Sequence, residues 1–166
     1  MGNWPFSDDA LRDMYQGGKG NATARRFSRL WATVFGMGLQ PKRWVTLEVP
    51  GRSSGRITRF PLGMAQADGQ WYLVSMLGED CNWVKNVRAA GGKVTLRRRR
   101  ARSCQLIEVP PEERALIIKR YLAQVPGARP HIPVDRRSAL AEFQTIAEKY
   151  PVFRVTPAAA PALGRS

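Results

Sequence analysis

Histidine and cysteine are nearly absent from this chain: one histidine, His131, and two cysteines, Cys81 and Cys104, in 166 residues. A structural zinc centre needs three or four clustered ligands, and no C-x-x-C pair occurs here. The two thiols are read as reduced cysteines of an intracellular chain rather than as a disulfide framework. His131 lies between Pro130 and Ile132 in a proline-rich stretch, and no G-x-S-x-G motif accompanies it, so a hydrolytic triad has no material. The adjacent acids Glu79 and Asp80 read as helix-start residues, not as a catalytic pair. No G-x-G-x-x-G follows a predicted strand and no G-x-x-x-x-G-K-S/T is present. Gly18-Lys19-Gly20 is only a fragment of a phosphate-loop pattern, read as a joint. Long apolar runs are missing too: nothing approaches the roughly 18 residues of a membrane span. Asp8, Asp9 and Asp13 stand where a signal peptide would be basic, so a cytoplasmic protein is expected.

Acidic residues are also scarce. Asp and Glu number 13 against 27 Lys and Arg, a net charge of +14. Such an excess favours an anionic partner: phosphate, nucleic acid, anionic lipid or an acidic small molecule. Hydrophobic residues nevertheless make up 43%, enough for one folded domain at this length. The four arginines 97–100 invite a nucleic-acid reading, but no aromatic residues interleave with them as a stacking platform requires. They read instead as a solvated hairpin tip, and nucleic acid is disfavoured.

What is present is strand alternation. Val45, Leu47 and Val49 alternate with polar neighbours, and similar patterns predict strands at 44–49, 57–64, 70–77, 93–98 and 101–109. Asp68-Gly69 marks a hairpin turn. A helix is expected from Asn82 to Ala90, with Trp83, Asn86, Val87 and Ala90 on one face and Gly91-Gly92 stopping it. Pro110-Pro111-Glu112-Glu113 starts a helix that runs to about Ala123 with Ala115, Ile118 and Leu122 inward. Another, from Ser138 to Tyr150, presents Leu140, Phe143, Ile146 and Ala147 to the core. Residues 152–155 form a closing strand. The expected fold is mainly β with added helices, an antiparallel split barrel over residues 41–156. An N-terminal helical segment, 1–40, precedes it and a disordered tail, 157–166, follows. Within that segment, Phe27, Leu30, Trp31, Val34 and Phe35 form an apolar stripe beside Arg25, Arg26 and Arg29. Residues 23–37 either cover the barrel or lie in an anionic membrane surface.

With protein-borne chemistry excluded, a site that binds an anionic cofactor remains. Arg52, Arg56 and Arg59 cluster around Gly51-Arg52-Ser53-Ser54-Gly55-Arg56, where guanidinium forks and turn amides suit phosphate.

The ordered set formed by this turn, Phe60-Pro61-Leu62, Asp68-Gly69, Tyr72-Leu73-Val74-Ser75 and Asn82-Trp83-x-x-Asn86-Val87-Arg88-Ala89 resembles the deazaflavin-dependent nitroreductase/quinone reductase family over roughly residues 43–155. The resemblance implies a split barrel of the FMN-binding type and a reduced 8-hydroxy-5-deazaflavin coenzyme, F-420, whose phosphate and oligoglutamate tail suit a basic surface. It implies an oxidoreductase passing hydride to a quinone, nitro compound or similar small acceptor. Arg52, Ser53, Ser54, Gly55 and Arg56 would lie along the phosphate and tail. Pro61, Ser75, Met76, Asn82, Trp83 and Asn86 would border the deazaflavin, with Ser75 the one candidate catalytic residue, as a hydrogen-bond donor to the acceptor. Ser53 and Met76 stand where many members carry lysine, Thr58 where an arginine is common, and Gly63 where some carry tyrosine. The resemblance therefore implies a phosphate subsite rebuilt from Arg56, Arg59 and Lys85. Two alternatives stay open: the same barrel with FMN, and a non-catalytic basic module for anionic membrane or nucleic acid. The oligomeric state is left open.

Overall fold

The computed structural model describes residues 43–159. The expected N-terminal helical segment, with its stripe over 23–37, and the end of the C-terminal tail lie outside the described residues. Six strands form one closed antiparallel barrel in the order β1-β2-β3-β6-β5-β4: β1 (Trp44–Pro50), β2 (Ile57–Ala67), β3 (Gln70–Val74), β4 (Lys93–Arg97), β5 (Ala101–Glu108) and β6 (Val152–Pro157). Pairing of β1 with β4, Leu47 opposite Leu96, closes the ring. Among the described residues three α-helices accompany it: α1 (Asn82–Ala89), α2 (Arg114–Gln124) and α3 (Leu140–Ile146).

Register explains the alternation. Leu47 faces Phe60, Val45 faces Leu62, Leu73 faces Phe153 and Val94 faces Cys104, so one side chain in two from every strand enters a common interior. Pro61, Gly63 and Ala65, in the outward row of β2, are buried as well, because α2 lies over them. Gly63 is the close-approach point: a Cβ there would come within 3.3 Å of Val125 Cγ1. The end of α2 is tied to β2 by Gln124, whose side chain accepts from Gln66 N at 2.8 Å and donates to Gln66 O at 2.7 Å. Arg43 also donates to Gln124. The β2–β3 hairpin turns at Asp68-Gly69 with φ of 49° and 77°, the mirror-image turn that matches strand twist.

The structure differs from the sequence reading at several points, and α3 runs Leu140–Ile146 instead of the expected 138–150. β3 ends at Val74, not Leu77, because Ser75 N bonds to Pro151 O and Gly78 N folds back onto Ser75 O. β2 runs three residues past 64, up to the hairpin turn. β6 continues through Thr156 and Pro157, which pair with Gln105 and Cys104 of β5, so the tail starts later than its composition implied. Leu140, expected in the core, is 40% exposed at the first turn of α3; Phe143, Ile146 and Ala147 are buried as expected. Periodicity also gave no sign of Arg114, 4% exposed at the start of α2. Its guanidinium donates to Val109 O at 2.7 Å and reaches Ala147 O and Glu148 O at 3.3 Å, which satisfies carbonyls at the end of α3 and the 3₁₀ turn behind it.

The barrel has two unlike ends. Where β1 turns into β2, α1 closes the interior: Trp83 packs on Phe153, ring centroids 5.5 Å apart, and Val84 and Val87 are buried beside it. A charged network fastens α1 there. Arg88 makes a bidentate pair with Glu108, at 2.6 and 3.0 Å, and a third bond to Glu79 at 2.6 Å. Those carboxylate bonds hold the Arg88 pKa above its ordinary value. At the opposite end, the β4–β5 hairpin carries its arginines past the strands.

Candidate functional site

The Gly51–Arg56 turn is built by its own backbone. Gly51 N bonds to Arg56 O at 2.7 Å and Gly55 N to Gly51 O at 2.8 Å. Gly55 sits at φ +69°, and a Cβ there would meet nothing within 4 Å, so backbone conformation and not crowding calls for glycine. The Ser54 hydroxyl accepts from Arg56 N at 3.2 Å. The N–H groups of Ser53 and Ser54 make no hydrogen bond among the described residues.

Asn86 joins this turn to α1. It is 4% exposed, and its Oδ1 accepts from Arg52 Nη1 at 2.9 Å and from Arg52 N at 3.3 Å. Its Nδ2 donates to Thr58 Oγ1 at 3.3 Å, and Thr58 in turn donates to Val49 O at 2.7 Å. Arg52 Nη2 reaches Asn82 Oδ1 at 3.4 Å. Asn82 and Asn86 stand four residues apart on one helix face, and together they aim one guanidinium with neutral amides. Among the described residues neither Arg52 nor Arg56 pairs with a carboxylate. Their charges are therefore not cancelled.

The structure thus brings together Arg52, Ser53, Ser54, Gly55, Arg56, Asn82 and Asn86. Arg59 is not among them. It lies on the outer face of β2, with Nε 3.1 Å from Glu48 Oε1, and Arg97 meets the same oxygen at 3.0 Å. Lys85 pairs with Asp80 at 3.3 Å. Of the three residues expected to rebuild a phosphate subsite, only Arg56 keeps its charge free of a described carboxylate. Arg52 takes the leading place. Thr58, at a position read only as a departure, fixes Asn86 from the interior row; the alternation of β2 was the signal that could have found it.

The residues expected around the ring are mostly buried. Trp83 is 2% exposed and Met76 9%, and Pro61 is buried in the outward row of β2 that contains Gly63. Ser75 is 1% exposed, and its hydroxyl donates to Gly78 O at 2.7 Å. That bond closes the turn that ends β3. The Cys81 sulfur lies beside the same hydroxyl; burial pushes this thiol up, while the Ser75 hydrogen bond works against it. Cys81 and Cys104 are both free and buried. His131 is partly buried, which lowers its pKa, and its carbonyl accepts from the Tyr150 hydroxyl at 3.3 Å. Among the described residues no helix is long and apolar enough to cross a membrane.

No curated protein matches the chain. Among solved structures, one described as an F420-H2 dependent reductase (FDR-A) is 23% identical, covering 72% of this chain and 99% of its own, with a TM-score of 0.49. Another, described as a domain-swapped dimer, is 20% identical over 81% and 96% of the two chains, TM-score 0.49. A protein of unknown function from Agrobacterium tumefaciens is 13% identical over 70% of this chain and 49% of its own, TM-score 0.50. At 13% identity the last of these likenesses speaks for the fold alone. The family match goes further, since residues 22–137 fit the model for F420H(2)-dependent quinone reductases. The barrel is accordingly a split barrel of the flavin-reductase-like kind, and the chain belongs to the F420H(2)-dependent quinone reductase family, as an oxidoreductase whose coenzyme is the deazaflavin F-420.

Proposed function

We propose that the coenzyme's phosphate and acidic tail run over the Gly51–Arg56 turn, and that the acceptor is a small quinone. The observation carrying this reading is the Arg52 guanidinium, oriented by Asn86 and Asn82 and paired with no described carboxylate. A guanidinium has five N–H donors; the two amides occupy few of them. The rest, with Arg56 and the N–H groups of Ser53 and Ser54, form a cradle that fits a phosphate or a glutamate carboxylate. The residues present therefore fit the coenzyme at its anionic end.

Reduced deazaflavin, when bound, supplies the hydride. The chain's own residues bind and orient. Asn82, at the exposed start of α1, would border the polar edge of the ring. Asn86 and Trp83 act from behind by holding α1 in place, and Met76 packs under the turn after β3. Ser75 is read as a positioning residue, because its hydroxyl is engaged with Gly78 O; the acceptor's proton then comes from water. FMN is not needed to account for the chain. The stretch 23–37, aromatic and basic in sequence, would suit peripheral contact with an anionic membrane, a setting in which apolar quinones dissolve. Liposome flotation that weakens with salt supports that contact, and salt-independent absence of binding argues against it.

The test is turnover. Oxidation of reduced deazaflavin should depend on added naphthoquinone and exceed that with a nitroaromatic acceptor. Loss of quinone dependence in protein that still binds coenzyme would reject the quinone.

A further inference from the structure

The barrel end opposite α1 contains a cavity of about 570 Å³ that the coenzyme reading does not use. Its wall is apolar: Val45, Met64, Trp71, Leu96, Cys104 and Val155. Its rim is the arginine hairpin, Arg98, Arg99, Arg100 and Arg102, and no acidic residue is among the described lining. Register places part of this rim inward. Leu96 faces Arg102, and Val94 faces Cys104, so the interior row of β5 reads Leu106, Cys104, Arg102, opposite Val94 and Leu96 of β4. Arg97, by contrast, points outward to Glu48. The rim arginines are exposed, and Arg102 continues the interior row of β5 just beyond the apolar wall. Among the described residues no carboxylate pairs with Arg99, Arg100 or Arg102. Crowded like charges beside a low-dielectric wall repel strongly, and a bound anion offsets that repulsion.

We propose that this cavity binds one molecule of a single-chain anionic amphiphile, its alkyl tail against Trp71, Leu96 and Val155 and its phosphate or carboxylate head on Arg99, Arg100 and Arg102. The volume lies in the range of small-molecule sites. Arginine stems can line the apolar mouth while their guanidinium groups hold the head. The site lies at the far end of the barrel from the Gly51–Arg56 turn and does not depend on the coenzyme reading.

The full chain is titrated calorimetrically with dodecyl phosphate below its micelle concentration, without coenzyme. Saturable one-to-one binding is expected, with dodecyl maltoside (no charge) and butyl phosphate (no tail) each weaker by roughly ten-fold or more. The variant Arg99→Ser/Arg100→Ser/Arg102→Ser should lose a similar factor. Val155→Trp, which leaves every charge in place and fills the cavity from the interior row of β6, should also weaken binding. Both variants should melt as cooperatively as the wild type and keep deazaflavin affinity. Three results would overturn the proposal: no saturable binding of the monomeric amphiphile, binding only to phosphatidylglycerol vesicles, or equal affinity in the wild type and both variants.

Discussion

Two polar side chains, one buried and one half-buried, do different work from what their residue types suggest. Ser75 has the chemistry of a proton donor, but its 2.7 Å bond to Gly78 O makes it a lock on the β3 turn. Ser75→Ala should cost about 0.5–1.5 kcal/mol of stability and leave turnover within a few-fold of wild type. Loss of a true general acid would lower turnover by roughly 10²–10⁴, so steady-state kinetics on the folded variant separates the two. Glu48 is 11% exposed in its side chain, between two arginines. Burial alone would raise its pKa; the hydrogen bonds from Arg97 and Arg59 outweigh burial and hold it below the ordinary carboxylate value. A depressed folded pKa means that the unfolded chain takes up the proton first. Stability from Glu48 is therefore present above the unfolded value, near 4.5, and lost as pH falls through the folded one. Thermal melts from pH 6 downward should show that loss, and Glu48→Gln should flatten the slope contributed below pH 4.5; an unchanged slope in the variant would contradict the assignment.

At the scale of elements, α1 and the turn it meets form the proposed binding unit, and both are held from outside. The Arg88 fork on Glu108 fixes one side of α1, and the stop after the helix is steric. Gly92 sits at φ +78°, and a Cβ on it would lie 2.3 Å from Leu106 O. Gly92→Ala should destabilise the protein by more than the roughly 1–3 kcal/mol of backbone strain, because a backbone carbonyl also has to move. A melting temperature within a degree or two of wild type would show that the β5 contact is soft. These elements were largely legible in sequence. The alternation of Val45, Leu47 and Val49, the Asp68-Gly69 turn and the spacing of Trp83, Asn86 and Val87 are local signals, and each landed where expected. What was not legible depends on tertiary partners. Arg59 and Arg52 look alike in a string of letters, yet Arg59 faces Glu48 across β1 while Arg52 faces Asn86 across the turn. Leu140 matched the helical stripe but sits at the first turn of α3, where the end of a helix projects past the core. Arg114 carried no periodic signal, because beside Val109 O its partners include carbonyls of a segment more than thirty residues away.

The described residues form one barrel with two unlike ends. One end is closed by α1 and presents a preorganised arginine; the other is open to a cavity rimmed by arginines. Both carry part of the chain's net charge of +14. The central claim concerns the first end: that the coenzyme's anionic portion is held by Arg52 and Arg56. Fluorescence titration of the folded wild type with the deazaflavin coenzyme, repeated with Arg52→Ala, Arg56→Ala and both together over a range of salt, tests it directly. The account predicts saturable binding at tens of micromolar or tighter, roughly ten-fold weakening per arginine, and a shallower salt dependence in the double variant. Saturable binding that is undiminished, with an unchanged salt dependence, in the folded double variant would contradict it.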